Sequence, residues 1–267
     1  MNKIFTFLCR EFVFNGHMQS LGAVGIVTVS NILLFSQINW ALMLVCYLTF
    51  QSIYYFDRYR DNKRDYITNR ARNKHINSFQ GLMPLLIVLL AFVSIGVSYQ
   101  ASGLEFSLIV LLVLVLGYAY PIYMKGITKH IPLFKNVYVA SVHALLVIFP
   151  LIFMHLPVDR VSMKLVIYVF VEAMLAQHLL DTKDTYSDAK AKLKTMPVLI
   201  GNKNTLYFAI TLTMLNALLI VELSPFLGFA MIVVNGASIY FVSKKRKMGY
   251  LLAASKFMLW LCVLFVM

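Results

Sequence analysis

Residues 38–72 read INWALMLVCYLTFQSIYYFDRYRDNKRDYITNRAR, an apolar run, Ile38 to Phe56, that passes without a break signal into Asp57, Asp61 and Asp65. Residues four apart on an α-helix advance about 40° and rise about 6 Å. The three carboxylates therefore form one slowly turning ridge at the end of an apolar helix. Three like charges on one helical face repel one another. The basic residues between them, Arg58, Arg60, Lys63 and Arg64, point mostly elsewhere, so the ridge needs a cation from outside the helix. Hard divalent ions such as Mg2+, which prefer carboxylate oxygens, are the natural candidates.

A second cluster answers the first. Residues 179–195, LLDTKDTYSDAKAKLKT, carry Asp181, Asp184 and Asp188 at the end of another apolar segment. Asp184 and Asp188 repeat the four-residue spacing. Two carboxylate pairs, each flanked by Lys or Arg, suit two Mg2+ ions and the oxygens of a diphosphate held between them.

The rest of the chain is lipid-compatible. Of 267 residues, 60% are hydrophobic and only 13% charged, and the mean hydropathy is +0.77, beyond what a soluble domain covers with polar surface. A span of the ~30 Å hydrocarbon core takes roughly 20 residues. Nine stretches qualify, at about 19–37, 38–56, 82–101, 104–122, 132–154, 162–180, 205–223, 225–243 and 249–267. The expected fold is all-α: one membrane-embedded domain over residues 1–267, with nine transmembrane helices around a central cavity. No cleavable signal peptide is expected, because Lys3, Arg10, Glu11 and His17 interrupt the start. Cys9, Cys46 and Cys262 are too scattered for a metal site, and no two histidines form an HxxxH pair.

Basic residues cluster after every second span: Arg58 to Lys74, then Lys125, Lys129 and Lys135, then Lys183 to Lys203, then Lys244 to Lys247. The opposite loops hold only Arg160 and Lys164. The positive-inside rule then puts the amino terminus and both acidic clusters in the cytoplasm. A net charge of +13 reflects topology and attraction to anionic lipid, or a rim that draws in a polyanionic headgroup; no nucleic acid partner is implied. We expect a multi-pass protein of a bacterial plasma membrane with its active site on the cytoplasmic side.

Smaller signals refine this. Met1 to Met18 reads as a partly amphipathic lead-in lying along the interface. Gly22, Ala23 and Gly25 allow a neighbouring helix to approach closely. The basic connection Tyr66 to Gly81 fits a solvated loop or a lid that carries Arg70, Arg72 and Lys74 to a phosphate. At Gly117 to Lys125, tyrosines and Pro121 end a helix; the segment fits an interfacial aromatic belt, or a site where Tyr120 and Lys125 bind phosphate. Glu172 lies at membrane depth and is a functional candidate unless an interior partner such as His178 explains it. The last three spans, with Asn216, Glu222, Asn235 and Lys256, are assigned scaffold duties.

The sequence resembles the UbiA superfamily of intramembrane prenyltransferases over nearly its whole length. The family's motifs, NDxxDxxxD and DxxxD, match Asp57, Asp61 and Asp65, and Asp184 and Asp188 preceded by Asp181. Supporting matches are Asn69-Arg70, Tyr120-Pro121 with Lys125, Lys135-Asn136, and Lys194-Thr195-Met196-Pro197-Val198 ending at Gly201. Two departures stand out. The family's Asn-Asp is Asp57-Arg58 here, and its early Arg-Pro is replaced by Asn15-Gly16-His17.

The resemblance implies a Mg2+-dependent reaction of an isoprenyl diphosphate and a lipophilic or aromatic acceptor, in contact with membrane lipid. Asp57, Asp61, Asp184 and Asp188 are the expected ligands of two Mg2+ ions, with Asp65 and Asp181 in support. Arg64, Arg70, Tyr120, Lys125, Lys190 and Lys194 are the expected diphosphate-binding residues. Tyr54, Tyr55 and Phe56 are expected to line the pocket for an allylic cation. A terpene cyclase on the same scaffold is the alternative. A transporter is disfavoured, because the acids sit at helix ends on one side only.

Overall fold

The computed structural model describes residues 3–263, with their side chains except at positions 3, 63–65, 67, 68, 125 and 263. No strand occurs among the described residues. In chain order the α-helices are α1 (Lys3–Phe14), α2 (His17–Phe35), α3 (Trp40–Thr68), α4 (Arg70–Asn77), α5 (Met83–Ala119), α6 (Lys125–Ile127), α7 (Phe134–Leu145), α8 (Phe149–Phe153), α9 (Arg160–Lys190), α10 (Met196–Ile220), α11 (Pro225–Ser243) and α12 (Lys247–Val263). A π-helical turn, Tyr120–Met124, follows α5, and a 3-10 turn, Leu146–Ile148, joins α7 to α8. Six of these helical segments are long and apolar enough to cross a membrane. The chain divides into two compact units, Met1–Val24 with Asn39–Tyr123 and Gly25–Ile38 with Met124–Met267.

In the first unit α3 is the central rod. The Asn39 side chain accepts a hydrogen bond from the Leu42 N–H at 3.0 Å, supplying a partner to one of the donors that a helix start leaves bare. The helix then runs 29 residues, about 44 Å at 1.5 Å per residue, which exceeds the ~30 Å hydrocarbon core. Its acidic end therefore belongs to the same unbroken helix as the apolar run, as the sequence implied.

Helix α5 has 37 residues, about 55 Å if straight, too long for one crossing. It breaks at Gly103, whose φ of 80° suits glycine because no Cβ meets the following carbonyl. The two arms fold back on each other. Ser52 Oγ donates to the Ile87 carbonyl at 2.7 Å and lies 2.6 Å from the Tyr118 hydroxyl, so residues on opposite sides of Gly103 meet one atom of α3. The two sequence-derived spans at 82–101 and 104–122 are thus the arms of this hairpin. The tyrosines and Pro121 do not simply stop the second arm: the chain continues through the π-turn, where proline's missing N–H costs no α-helical hydrogen bond.

The basic connection after α3 is a helix, α4, and not a loop. Asn69 caps it, accepting from Arg72 N–H at 3.3 Å. His75 is buried and Nε2 lies 2.8 Å from Glu11 Oε2. Burial pushes the Glu11 carboxyl up, but hydrogen bonds from His17, His75, Tyr55 and Asn15 outweigh it and hold the group at about 2 instead of 4.5. A carboxyl held low in the folded state adds stability above its unfolded value and loses it as pH falls through the folded one. In detergent, the stability gap between the wild type and Glu11→Gln is therefore expected to be flat above pH 4.5 and to close from 4.5 toward 2. Thermal unfolding across that range checks it; a gap that widens in acid would refute the network.

In the second unit Pro150 interrupts the path from α7, and the chain passes through the 3-10 turn before α8. A capping box starts α9: Ser162 N–H donates to Asp159 Oδ1 at 2.7 Å and Asp159 N–H to Ser162 Oγ at 3.0 Å. A Cβ on Gly25 would land on the Phe257 carbonyl, which is the close helix approach its small side chain suggested.

Glu172 pairs with Lys256 and not with His178. Lys256 Nζ donates to Oε2 at 2.5 Å, Asn216 Nδ2 to Oε1 at 2.8 Å and Asn235 Nδ2 to Oε1 at 2.9 Å. All four side chains are buried. The last three helices are therefore joined to α9 by a charged knot, more than the plain scaffold expected of them. His178 is fully buried with no hydrogen-bond partner at either ring nitrogen among the described residues. Its ring meets Phe208 edge-on at 5.7 Å.

Candidate active site

The first acidic motif lies on the terminal turns of α3. Asp57 and Asp61 are each partly exposed, and Asp57 Oδ2 accepts from Arg58 Nη1 at 3.0 Å. The side chains of Asp65 and Arg64 lie outside the described residues. Between the acids, Asn62 is buried and tied to α4: Asn73 Nδ2 donates to the Asn62 carbonyl at 2.9 Å and to its Oδ1 at 2.7 Å. Asn62 Nδ2 in turn donates to Asn77 Oδ1 at 2.6 Å. This ladder fixes α4 against the motif helix and leaves Arg70 exposed and Arg72 partly exposed on it. Sequence reasoning missed it. The available signal was three asparagines in stretches where solvated charge alone would favour Lys or Glu.

The expected pocket aromatics divide. Tyr55 is buried and donates to Glu11 Oε1 at 2.8 Å. Phe56 packs on Tyr118 with ring centroids 4.9 Å apart, and Tyr54 packs closely against Gly16. Tyr120, partly exposed, opens the π-turn. The Lys125 side chain lies outside the described residues.

The second motif ends α9, whose 31 residues again outrun the hydrocarbon core. Asp181 is buried and saturated: Oδ1 accepts from Lys135 Nζ at 2.6 Å and Oδ2 from Asn136 Nδ2 at 2.7 Å. Lys135 Nζ also lies 3.7 Å from Asp188 Oδ2. Asp184 is exposed, as is Lys190. Lys194, expected at a diphosphate, donates from Nζ to the His130 carbonyl at 3.2 Å. Its backbone also holds the segment before α7, with Lys194 N–H to Thr128 O at 3.1 Å and Leu133 N–H to Lys194 O at 2.9 Å.

Carboxylate oxygens are the donor type Mg2+ favours; Asp184 is exposed, and Asp57 and Asp61 are partly exposed. No three His, Cys, Asp or Glu side chains converge to hold a metal among the described residues. Each motif offers oxygen ligands that suit the ion, while Asp181 is committed elsewhere.

A comparison with curated protein sequences found no match. Solved structures do match. A UbiA homolog from Archaeoglobus fulgidus bound to GPP and Mg2+ is 13% identical with a TM-score of 0.67, covering 97% of this chain and 100% of that one. A UbiA homolog from the same organism bound to DMAPP and Mg2+ is 14% identical with a TM-score of 0.64, covering 97% and 99%. The structure of a digeranylgeranylglyceryl phosphate synthase is 15% identical with a TM-score of 0.58, covering 100% and 97%. At such identities these likenesses carry the fold. The family itself is carried by a sequence profile matching residues 21–264, which takes in both acid-ended helices, and by it this chain belongs to the UbiA prenyltransferase family.

Proposed function

We propose that this protein is a Mg2+-dependent intramembrane prenyltransferase, which ionises an isoprenyl diphosphate and passes the prenyl group to a lipophilic, aromatic acceptor. The observation that carries the reading is the pair of acidic helix ends, Asp57 and Asp61 on α3 and Asp184 and Asp188 on α9, in a chain of this family. Solved relatives with the same fold bind DMAPP or GPP with Mg2+. Asp57, Asp61, Asp184 and Asp188 would be the ligands of two such ions. When bound, Mg2+ neutralises the charge that builds on the leaving diphosphate. Arg70 on α4 and Lys190 on α9 add positive charge that favours the same anion, with Tyr120 donating a hydrogen bond. Aromatic rings beside the first motif, Tyr54 and Phe56, present negative faces to an allylic cation. Asp65, Arg64 and Lys125 keep the supporting roles that the family resemblance gives them.

The same reading takes nine membrane crossings around a cavity. Six helical segments meet the length and hydropathy of a span. Dividing one of them at Gly103, and adding α3 and α12, makes nine. The excess of Lys and Arg on alternate connections supports a cytoplasmic site. The cyclase alternative draws on Arg58, whose contact with Asp57 alters the charge of the first motif.

The deciding experiment gives purified protein in detergent Mg2+ and prenyl diphosphates of three chain lengths, with and without a phenolic acceptor or membrane extract. Slow hydrolysis alone, rising to prenylated product when acceptor is added, is expected. Rapid release of a cyclic hydrocarbon or alcohol without acceptor would replace the transferase by the cyclase. No consumption of any diphosphate under either condition would end both readings.

A further inference from the structure

We infer that Lys135 is the resident cation of the second acidic motif: in the absence of substrate it neutralises Asp181 and Asp188, so that only the motif on α3 binds a divalent ion. This rests on the metal-dependent reading above and counts one resident ion where the sequence suggested two.

The geometry is that of a built contact and not of a wandering surface lysine. The Lys135 side chain is only 14% exposed, with Asp181 at 5% and Asp188 at 7%. Its ammonium lies 2.6 Å from Asp181 Oδ1 and 3.7 Å from Asp188 Oδ2. Asn136, the next residue, occupies the other Asp181 oxygen. The backbone that delivers this pair is itself fixed. Leu133 takes the left-handed conformation at φ 60°, and Lys135 N–H donates to Thr128 Oγ1 at 3.0 Å. Asp181 and Asp188 are seven residues apart, nearly in line on one helical stripe, so one side chain from α7 serves both.

A buried ion pair is favourable only when further hydrogen bonds satisfy its remaining polar atoms, and Asn136 does this for Asp181. A divalent ion at the same carboxylates would meet the ammonium's positive charge at close range and lose Asp181 as a ligand. Asp184, which is exposed, is a weak site by itself. The second divalent ion therefore arrives only with a diphosphate, which brings its own oxygens.

Counting bound Mn2+ by electron paramagnetic resonance, on the full chain in detergent without diphosphate, tests this. The wild type is expected to bind one ion and Lys135→Met two, while Lys135→Arg stays at one. Adding Asp188→Asn to Lys135→Met is expected to remove the gained ion. A wild-type count of two, or no gain in Lys135→Met, overturns the inference. If Lys135→Met does not fold by thermal unfolding, the wild type decides: its ion lost in Asp61→Asn and kept in Asp188→Asn supports the inference, and the reverse overturns it. A wild-type count of zero overturns it as well, since α3 would then hold no ion. Failure of prenyl transfer in the product assay leaves both counts unaffected.

Discussion

Asp61→Asn and Asp188→Asn are each expected to cut prenyl transfer by about 100-fold or more, because on the proposed reading each removes a carboxylate ligand of the Mg2+ that would neutralise the leaving diphosphate. The folded protein should survive. Asp61 is partly exposed on a ridge of like charges, so neutralising it relieves repulsion and leaves thermal unfolding without Mg2+ unchanged or higher. Asp188 gives up a 3.7 Å contact with Lys135, which keeps its 2.6 Å contact with Asp181. Steady-state turnover at saturating Mg2+, set beside the unfolding temperature, separates chemistry from folding. Near-normal turnover in both variants would remove the acidic motifs from the mechanism.

The largest stability effect is expected at a residue far from the acids in sequence terms. Lys256→Met leaves Glu172 charged and buried, and breaking a buried pair on one side typically costs about 3–5 kcal/mol. The double variant Glu172→Gln/Lys256→Met is expected to recover most of that loss. Glutamine removes the charge and still offers Asn216 and Asn235 an acceptor oxygen, and uncharged replacements of buried pairs are often neutral or stabilising. Denaturation of the three proteins in one detergent decides the matter. A Lys256→Met protein as stable as the wild type would show that the pair does not hold the unit together.

These cases mark what could be read from the residues and what could not. The acidic end of α3 was legible because the apolar run from Ile38 continues into Asp57 with no Gly or Pro to stop it. The break between 101 and 104 was legible because membrane thickness limits the length of any span, and Gly103 lies within it. Local periodicity and length carry both signals. The α4 helix was not legible, since ARNKHIN reads as solvated charge, and its stability comes from Asn62 and Glu11 elsewhere in the chain. Nor was the partner of Glu172. His178, six residues along the same helix, was the nearby candidate, and the true partner lies 84 residues away. Asp181 looked like its two neighbours in sequence; only the packing of α7 on α9 separates it from them by occupying both of its oxygens.

The Glu172–Lys256 knot also has a meaning in time. A chain is made from its amino terminus at about 5–20 residues per second, and Lys256 follows Glu172 by 84 residues. For roughly 4–17 s at that rate, a nascent chain carries an acid at bilayer depth whose counter-ion has not yet been synthesised. Lys256 on α12 is therefore the late-made residue that completes this buried pair, and α9 has no charged partner for Glu172 until α12 has been made.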